Sequence, residues 1–243
     1  MIKLSNLLRL TRSANLHREI NARSQVTNLA RQTLQLKGEY LQDLWILAET
    51  NTLRGGYFVD FGATDGVDAS NTFILESHYG WRGIACEPGS QYFEKLKNNR
   101  KCHVSNRLVW DVSGEEIEFL ELDEAYLSGA IADSIHSGVL GNEYTVTSIT
   151  LEDLLISFDA PKVIDYASID VEGSELRILR KFFSQNTFQI RFLTVEHNWR
   201  QDKSELRDLL EINNYEIVFE EISQRDFWCR LKTTQSKSRP TIL

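Results

Sequence analysis

Proline and cysteine are scarce in this chain, three of each among 243 residues. The 13 glycines follow no period, so collagen-like and linker-rich classes are excluded. Cys86, Cys102 and Cys229 form no C-x-x-C pair and no Cys/His ligand pattern, which argues against zinc. Reduced thiols in a cytoplasmic protein are the simplest reading of such a set. No run of about 18 apolar residues occurs, so no transmembrane segment is expected. Arg9 and Arg12 interrupt the apolar start too early for a signal peptide. Basic residues are also outnumbered, 27 Lys and Arg against 35 Asp and Glu. The resulting net charge of −8 disfavours a nucleic-acid partner, which would need a basic face.

What is present suits one large α/β domain. Hydrophobic residues make up 42% of the chain, enough for a core and too many for wholesale disorder. Charge is unevenly spread. Residues 1–37 carry seven basic residues against one acid, Glu19, leaving a net −14 for the rest. This basic helical extension is expected to dock on the domain, with peripheral membrane contact as the lesser reading. The domain itself is expected over residues 38–232, followed by a solvated tail over 233–243. A homo-oligomer is compatible with this composition.

Hydrophobic periodicity predicts a helix over residues 4 to about 30, and a second from Tyr40 to Ala48. Strands and helices then alternate. Strands are expected at 57–61, 82–86, 103–109, 163–169 and 191–196. Helices are expected at 70–79, 91–99, 151–158, 174–183 and 204–213. Residues 116–120 read as a hairpin partner of the third strand, turned at Asp111-Val112-Ser113-Gly114. The stretch 122–144 lacks a period and reads as a loop or lid. Residues 215–220 and 227–231 read as a closing antiparallel pair. Alternating β and α elements imply a mostly parallel sheet with helices on both faces.

The most informative run is Tyr57-Phe58-Val59-Asp60-Phe61-Gly62-Ala63-Thr64-Asp65-Gly66. A buried strand ends here in an acid and breaks at glycine, whose missing Cβ lets backbone approach a ligand. Ligands of open α/β sheets sit at such strand ends. Glu87, beside Pro88, ends the second strand 25 residues after Gly62, the spacing expected of a ribose-binding acid. The dinucleotide fingerprint G-x-G-x-x-G is not met, and Asp60 and Asp65 would repel a pyrophosphate. A ligand with a cationic polar chain fits better, and S-adenosylmethionine has one. Asp111, at the end of the third strand, is placed to accept from an adenine amino group, although Asp-x-x-Gly is also an ordinary turn signal.

Asp170, Glu172 and Glu175 crowd one strand exit, and such crowding needs a cation, a proton or a positive ligand to offset it. Glu175 also suits the first turn of the following helix. His197 stands at the next strand exit, with a pKa range suited to taking a hydroxyl proton. Glu196 is placed to orient His197 or to share a divalent ion with Asp170, but no metal is assigned.

In this order the motifs resemble the FkbM family of S-adenosylmethionine-dependent methyltransferases. The resemblance rests on Tyr40-Leu41-Gln42-Asp43-Leu44, Phe58 to Gly66, Ser70-Asn71-Thr72, Trp81 to Pro88 and Ser128-Gly129. It is strongest in Ser168-Ile169-Asp170-Val171-Glu172-Gly173-Ser174-Glu175, and continues in Val195-Glu196-His197-Asn198. Thr64 stands where the family often has Asn. The resemblance implies a class I methyltransferase, Rossmann-like fold of seven strands with the last antiparallel. It also implies O-methylation of a hydroxyl on a sugar, glycan or natural product.

The site expected from these readings has two sides. Asp60, Gly62, Ala63, Asp65, Gly66 and Asn71 hold the methionine end of the cofactor, Glu87 and Pro88 the ribose, and Asp111 the adenine. His197, Asp170 and Glu172 face the acceptor, with His197 first choice as base. A non-catalytic regulatory protein that binds S-adenosylmethionine or a nucleotide is the alternative reading. A nicotinamide oxidoreductase is disfavoured by the glycine spacing.

Overall fold

The computed structural model describes residues 34–122, 127–133 and 139–232. The helix expected over residues 4–30 and the tail from 233 lie outside them, as does part of the 122–144 stretch. A first helix, α1 (Gln42–Glu49), precedes β1 (Tyr57–Phe61). There follow α2 (Phe73–Tyr79), β2 (Arg82–Cys86), α3 (Ser90–Asn99) and β3 (His103–Ser105). An insertion supplies β4 (Leu108–Trp110), β5 (Glu116–Glu121), β6 (Gly129–Ala130) and β7 (Asn142–Thr150). The chain returns through α4 (Leu151–Ser157), β8 (Val163–Ile169), α5 (Glu175–Gln185) and β9 (Gln189–Glu196). It closes with α6 (Lys203–Ile212), β10 (Tyr215–Val218) and β11 (Asp226–Leu231).

Among the described residues seven strands form one sheet, in the order β10-β11-β9-β8-β1-β2-β3. The pairs β1–β2, β1–β8, β2–β3 and β8–β9 are parallel, and β11 runs antiparallel to both neighbours. This is the seven-stranded arrangement with an antiparallel last strand that the motifs imply. The central strands are buried on both faces, so β1, β2 and β8 read as nearly unbroken apolar runs. One core packs Leu176, Ile178, Leu179 and Phe182 of α5 and Leu206 and Leu210 of α6 against Val59, Ile84 and Ile169. On the other face Trp45, Ile46 and Leu47 of α1 pack with Phe58, Tyr166, Phe192 and Trp228.

The expected hairpin between the third strand and residues 116–120 does not form. β3 ends at Ser105, and β4 belongs to a second, four-stranded sheet ordered β4-β7-β5-β6. The strand β7, read from the sequence partly as loop, lies between the two supposed partners. It pairs parallel with β4 and antiparallel with β5. The 111–114 turn wraps Ser148 of β7: Gly114 N donates to Ser148 O (3.0 Å), and Ser148 Oγ donates to Val112 O (2.7 Å). β7 then feeds α4 directly, through Thr150, whose Oγ1 accepts from Asp153 N at 3.1 Å as an N-cap.

Candidate active site

From β1 the sheet grows one way through β2 and β3, and the other way through β8 and β9. The carboxyl ends of β1 and β8 therefore flank a topological switch point, where ligands of open α/β sheets bind. A cavity of about 490 Å³ lies there. Its walls come from the exits of β1, β2, β8 and β9, the start of α1 and the second sheet.

The turn after β1 is built for contact between strands. Gly62 has φ +73°, and a Cβ on it would lie 1.8 Å from the Asp170 carbonyl oxygen. The close approach made through this glycine is thus to the chain itself. Gly62 N and Ala63 N both donate to Cys86 O, at 3.1 and 3.0 Å. Asp60, Gly62, Ala63 and Asn71 line the cavity, as expected. Asp60 is buried and accepts from the Thr72 hydroxyl. Burial raises its pKa, while the nearby Arg100 charge and hydrogen bonds from Thr72 and Ser168 pull it back.

Asp65 and Gly66, read as cofactor-binding, do not line the cavity. Asp65 Oδ1 accepts from Val67 N (2.8 Å) and Asp68 N (2.9 Å), so its carboxylate closes a local turn. Gly66 has φ +80° and packs against Leu96 and Arg100. Its carbonyl accepts from Arg100 at 3.1 Å. Both residues shape the turn from behind.

Glu87 and Pro88 line the cavity at the end of β2. The Glu87 carboxylate joins two strand exits, accepting from Thr64 N (2.9 Å) and from Gly89 N (2.7 Å). Burial pushes its pKa up to about 7 against the pull of those two donors. Asp111, read as an adenine contact, lies outside the cavity walls. It ends β4, in the second sheet, where Arg177 approaches it at 3.5 Å. The cavity is instead lined in this region by Arg107, Leu108, Val109 and Phe119.

Opposite Glu87 stand the acids of β8 and β9. Asp170 opens onto the cavity floor, and Glu172 and Glu196 are buried in its wall. Glu172 sits at φ +56°, a left-handed turn that folds the β8 exit back towards β9. Its carboxylate accepts from Asn198 Nδ2 at 3.3 Å. Burial, then Glu175, pushes Glu172 up to about 7. Burial, then Glu172, raises Asp170, and burial, then Asp170, raises Glu196. Glu175 caps the turn, its Oε1 accepting from Val171 N at 3.1 Å. Its Oε2 makes a charge contact with Arg200 at 2.7 Å, without the alignment of a hydrogen bond.

His197, the expected base, faces away from this cluster. It is 2% exposed, packs on Phe227 at 4.5 Å between ring centroids and takes no part in the cavity wall. Its Nδ1 accepts from Trp199 N at 3.1 Å, which puts the neutral ring's proton on Nε2 and occupies its lone pair. Burial, together with Lys203 and Arg207, holds it down to about 4.

Sequence reasoning missed Asp226, Gln42 and Arg225, which also line the cavity. Asp226 opens the antiparallel strand, so its amino end meets the carboxyl ends of the others, directly opposite Glu196. Gln42 Nε2 donates to Asp226 Oδ2 at 2.7 Å, tying α1 to the site. The signal was an acid at the start of β11, which runs antiparallel to both its neighbours.

Comparison with known proteins gives the family. The model of the methyltransferase FkbM domain matches residues 60–217, well over half of the chain. Among curated proteins none matches the chain significantly. Solved structures similar to it include the N-terminal domain of human METTL16 in complex with SAH. That pair shares 14% identity at TM-score 0.43, over 89% of this chain and 83% of that one. Another is an FkbM methyltransferase from Methylobacillus flagellatus KT, 14% identical at TM-score 0.43, over 85% of this chain and 59% of that one. A human methyltransferase 10 domain containing protein is 13% identical at TM-score 0.44, over 83% and 91%. The matched domain spans the glycine turn, Glu87 and the Asp170–Glu175 run, and the chain belongs to the FkbM methyltransferase family, whose methyl donor is S-adenosylmethionine.

Proposed function

We propose that this protein transfers a methyl group to a hydroxyl of a sugar, glycan or natural-product acceptor. The observation that carries the reading is the placement of Asp170, Glu172 and Glu196 across the cavity from Glu87. The cavity residues fit the donor. Asn71 Oδ1 is buried with no hydrogen-bond partner among the described residues, and an ammonium group would satisfy it. Each Glu87 oxygen takes one backbone N–H and keeps acceptor capacity for ribose hydroxyls. Asp60, Gly62, Ala63 and Asn71 then hold the methionine end, and Glu87 and Pro88 the ribose.

S-Adenosylmethionine supplies a methyl group already activated on a sulfonium. The protein's part is to align the acceptor and take its proton. Glu172 is the proton acceptor in this reading, since a carboxylate held near pH 7 is matched to that task. Asp170 orients the hydroxyl from the cavity floor. The second sheet, through Ser128 and Gly129, borders the acid cluster on the acceptor side. The unpaired Cys86, Cys102 and Cys229 support a cytoplasmic setting.

The test is methyl transfer from labelled donor to a panel of hydroxyl-bearing sugars and polyketide-like acceptors. Glu172→Gln is expected to lower kcat by about 100-fold or more, with donor affinity kept within a few-fold. Full turnover in Glu172→Gln would remove it as proton acceptor. Transfer to amines only would overturn the hydroxyl assignment.

A further inference from the structure

The acid cluster gathers more carboxyl groups than one proton transfer uses. Among the described residues, Asp170, Glu172 and Glu196 each offer an oxygen within 4.8 Å of the others. Glu196 is 7% exposed, and its Oε2 has no hydrogen-bond partner among the described residues. A buried carboxylate oxygen left without a donor costs free energy unless something positive meets it. Glu175, the fourth acid, already has Arg200. Arg225 lines the same cavity, but no ion pair within 4.0 Å joins it to Glu196 among the described residues.

We propose that Asp170, Glu172 and Glu196 bind a divalent cation, which in turn binds the acceptor through two adjacent oxygens. The ligand set is all oxygen, because His197 faces the other side of β9. Such a set selects magnesium, manganese or calcium over zinc or copper. Separations of no more than 4.8 Å are compatible with one ion, since opposite oxygens stand about 4.8 Å apart around six-coordinate calcium and about 4.2 Å around magnesium. Three carboxylate oxygens leave about three positions for water or acceptor. The cluster lies on the cavity side away from Glu87, so those positions face the space left for the acceptor. The acceptor class is therefore a vicinal diol or a hydroxy-carbonyl, which chelates through neighbouring oxygens. The inference rests on the hydroxyl-methylation reading and sharpens its proton step. Coordination lowers the hydroxyl's pKa, the oxygen–carbon bond forms as the sulfur–carbon bond breaks, and the proton passes to the Glu172 carboxylate oxygen that does not hold the ion.

Manganese binding tests the site without any turnover. The full-length chain is titrated with Mn²⁺ in the absence of donor and acceptor, and free ion is read by electron paramagnetic resonance. One saturable site per chain is expected, with Mg²⁺ or Ca²⁺ displacing the manganese. Glu196→Gln and Asp170→Asn should each weaken Mn²⁺ binding at least 10-fold. Calorimetry with S-adenosylhomocysteine serves as the folding control, and its affinity should stay within about 3-fold. If Glu196→Gln does not fold, Asp170→Asn decides the question. A wild-type chain that binds S-adenosylhomocysteine but shows no saturable Mn²⁺ site overturns the proposal, as does unchanged Mn²⁺ affinity in the folded variants. Saturable Mn²⁺ binding lost in those variants, with no hydroxyl methylated, supports the metal site and sinks only the acceptor reading. Hydroxyl methylation that persists in chelator sinks the metal and leaves the acceptor reading in place.

Discussion

The carbonyl oxygen of Asp170 occupies the place where a side chain on Gly62 would begin, 1.8 Å from an ideal Cβ. The turn after β1 and the acid cluster after β8 thus touch backbone to backbone. Gly62→Ala must strain a residue at φ +73° and also push β8 away from β1. A loss of about 3 kcal/mol is expected, in the tail of single-substitution effects. For a chain of this length that lowers Tm by roughly 6–12 °C. Urea unfolding checks it, and a loss below about 1 kcal/mol would show that the two exits separate freely.

Arg100 holds the same turn from behind. Its guanidinium is fully buried and pairs with Glu76, while donating to Gly66 O (3.1 Å) and Thr72 Oγ1 (3.0 Å). Thr72 in turn donates to Asp60. Arg100→Met keeps much of the apolar stem but leaves the buried Asp60 and the half-buried Glu76 without their cation. A loss of about 3–5 kcal/mol is expected at pH 7.5. The deficit should shrink near pH 5, where Asp60, its pKa already raised, is free to protonate. Unfolding at both pH values measures this, and an equal deficit at each would contradict it.

His197→Asn should separate stability from turnover. The ring packs on Phe227 and takes the Trp199 N–H, so its loss should destabilise the β9 exit by about 1–3 kcal/mol. Turnover at saturating substrates should stay within about 5-fold, because the ring does not reach the cavity. A fall of 100-fold or more, with folding intact, would restore His197 as the base.

That residue also marks where the sequence stops being readable. The buried parallel strands β2 and β8 occupy the residues their apolar runs predict, since burial on both faces leaves an unbroken hydrophobic signature. His197 lies just past the end of β9, and its ring packs on Phe227 while Glu196 lines the cavity. Which of the two did so depended on how β9 lies in the sheet, and nothing local states it. The strand β7 failed for a related reason. Its run Asn142-Glu143-Tyr144-Thr145-Val146-Thr147-Ser148-Ile149-Thr150 is polar and half-exposed, and its partners are distant in sequence. Asp111 does end a strand, but one that β7 draws into the second sheet. Asp65 carried a turn signal and a ligand signal at once, and its two backbone donors decide for the turn.

The cavity carboxylates give the protein an unusual dependence on pH. Burial first of all pushes Glu87, Glu172 and Asp226 up to about 7, from ordinary values of 4.5, 4.5 and 3.8. A carboxyl raised on folding favours the native state while protonated, and that stability is lost as pH rises through about 7. His197 runs the other way. Held down to about 4 from 6.5, it stabilises the fold above 6.5 and withdraws that as pH falls towards 4. Glu87, Glu172 and Asp226, with the likewise raised Asp60, Asp170 and Glu196, oppose one lowered histidine, and each unit of pKa is about 1.4 kcal/mol. With chelator present and no donor bound, Tm should therefore climb as pH falls from 8 to about 5.5, with a shallower rise below 6.5. His197→Asn should remove that break in slope. A Tm that falls steadily from pH 8 to 5.5 would mean that the cavity acids are ionised in the folded protein, with a counter-charge supplied from somewhere other than the chelated metal.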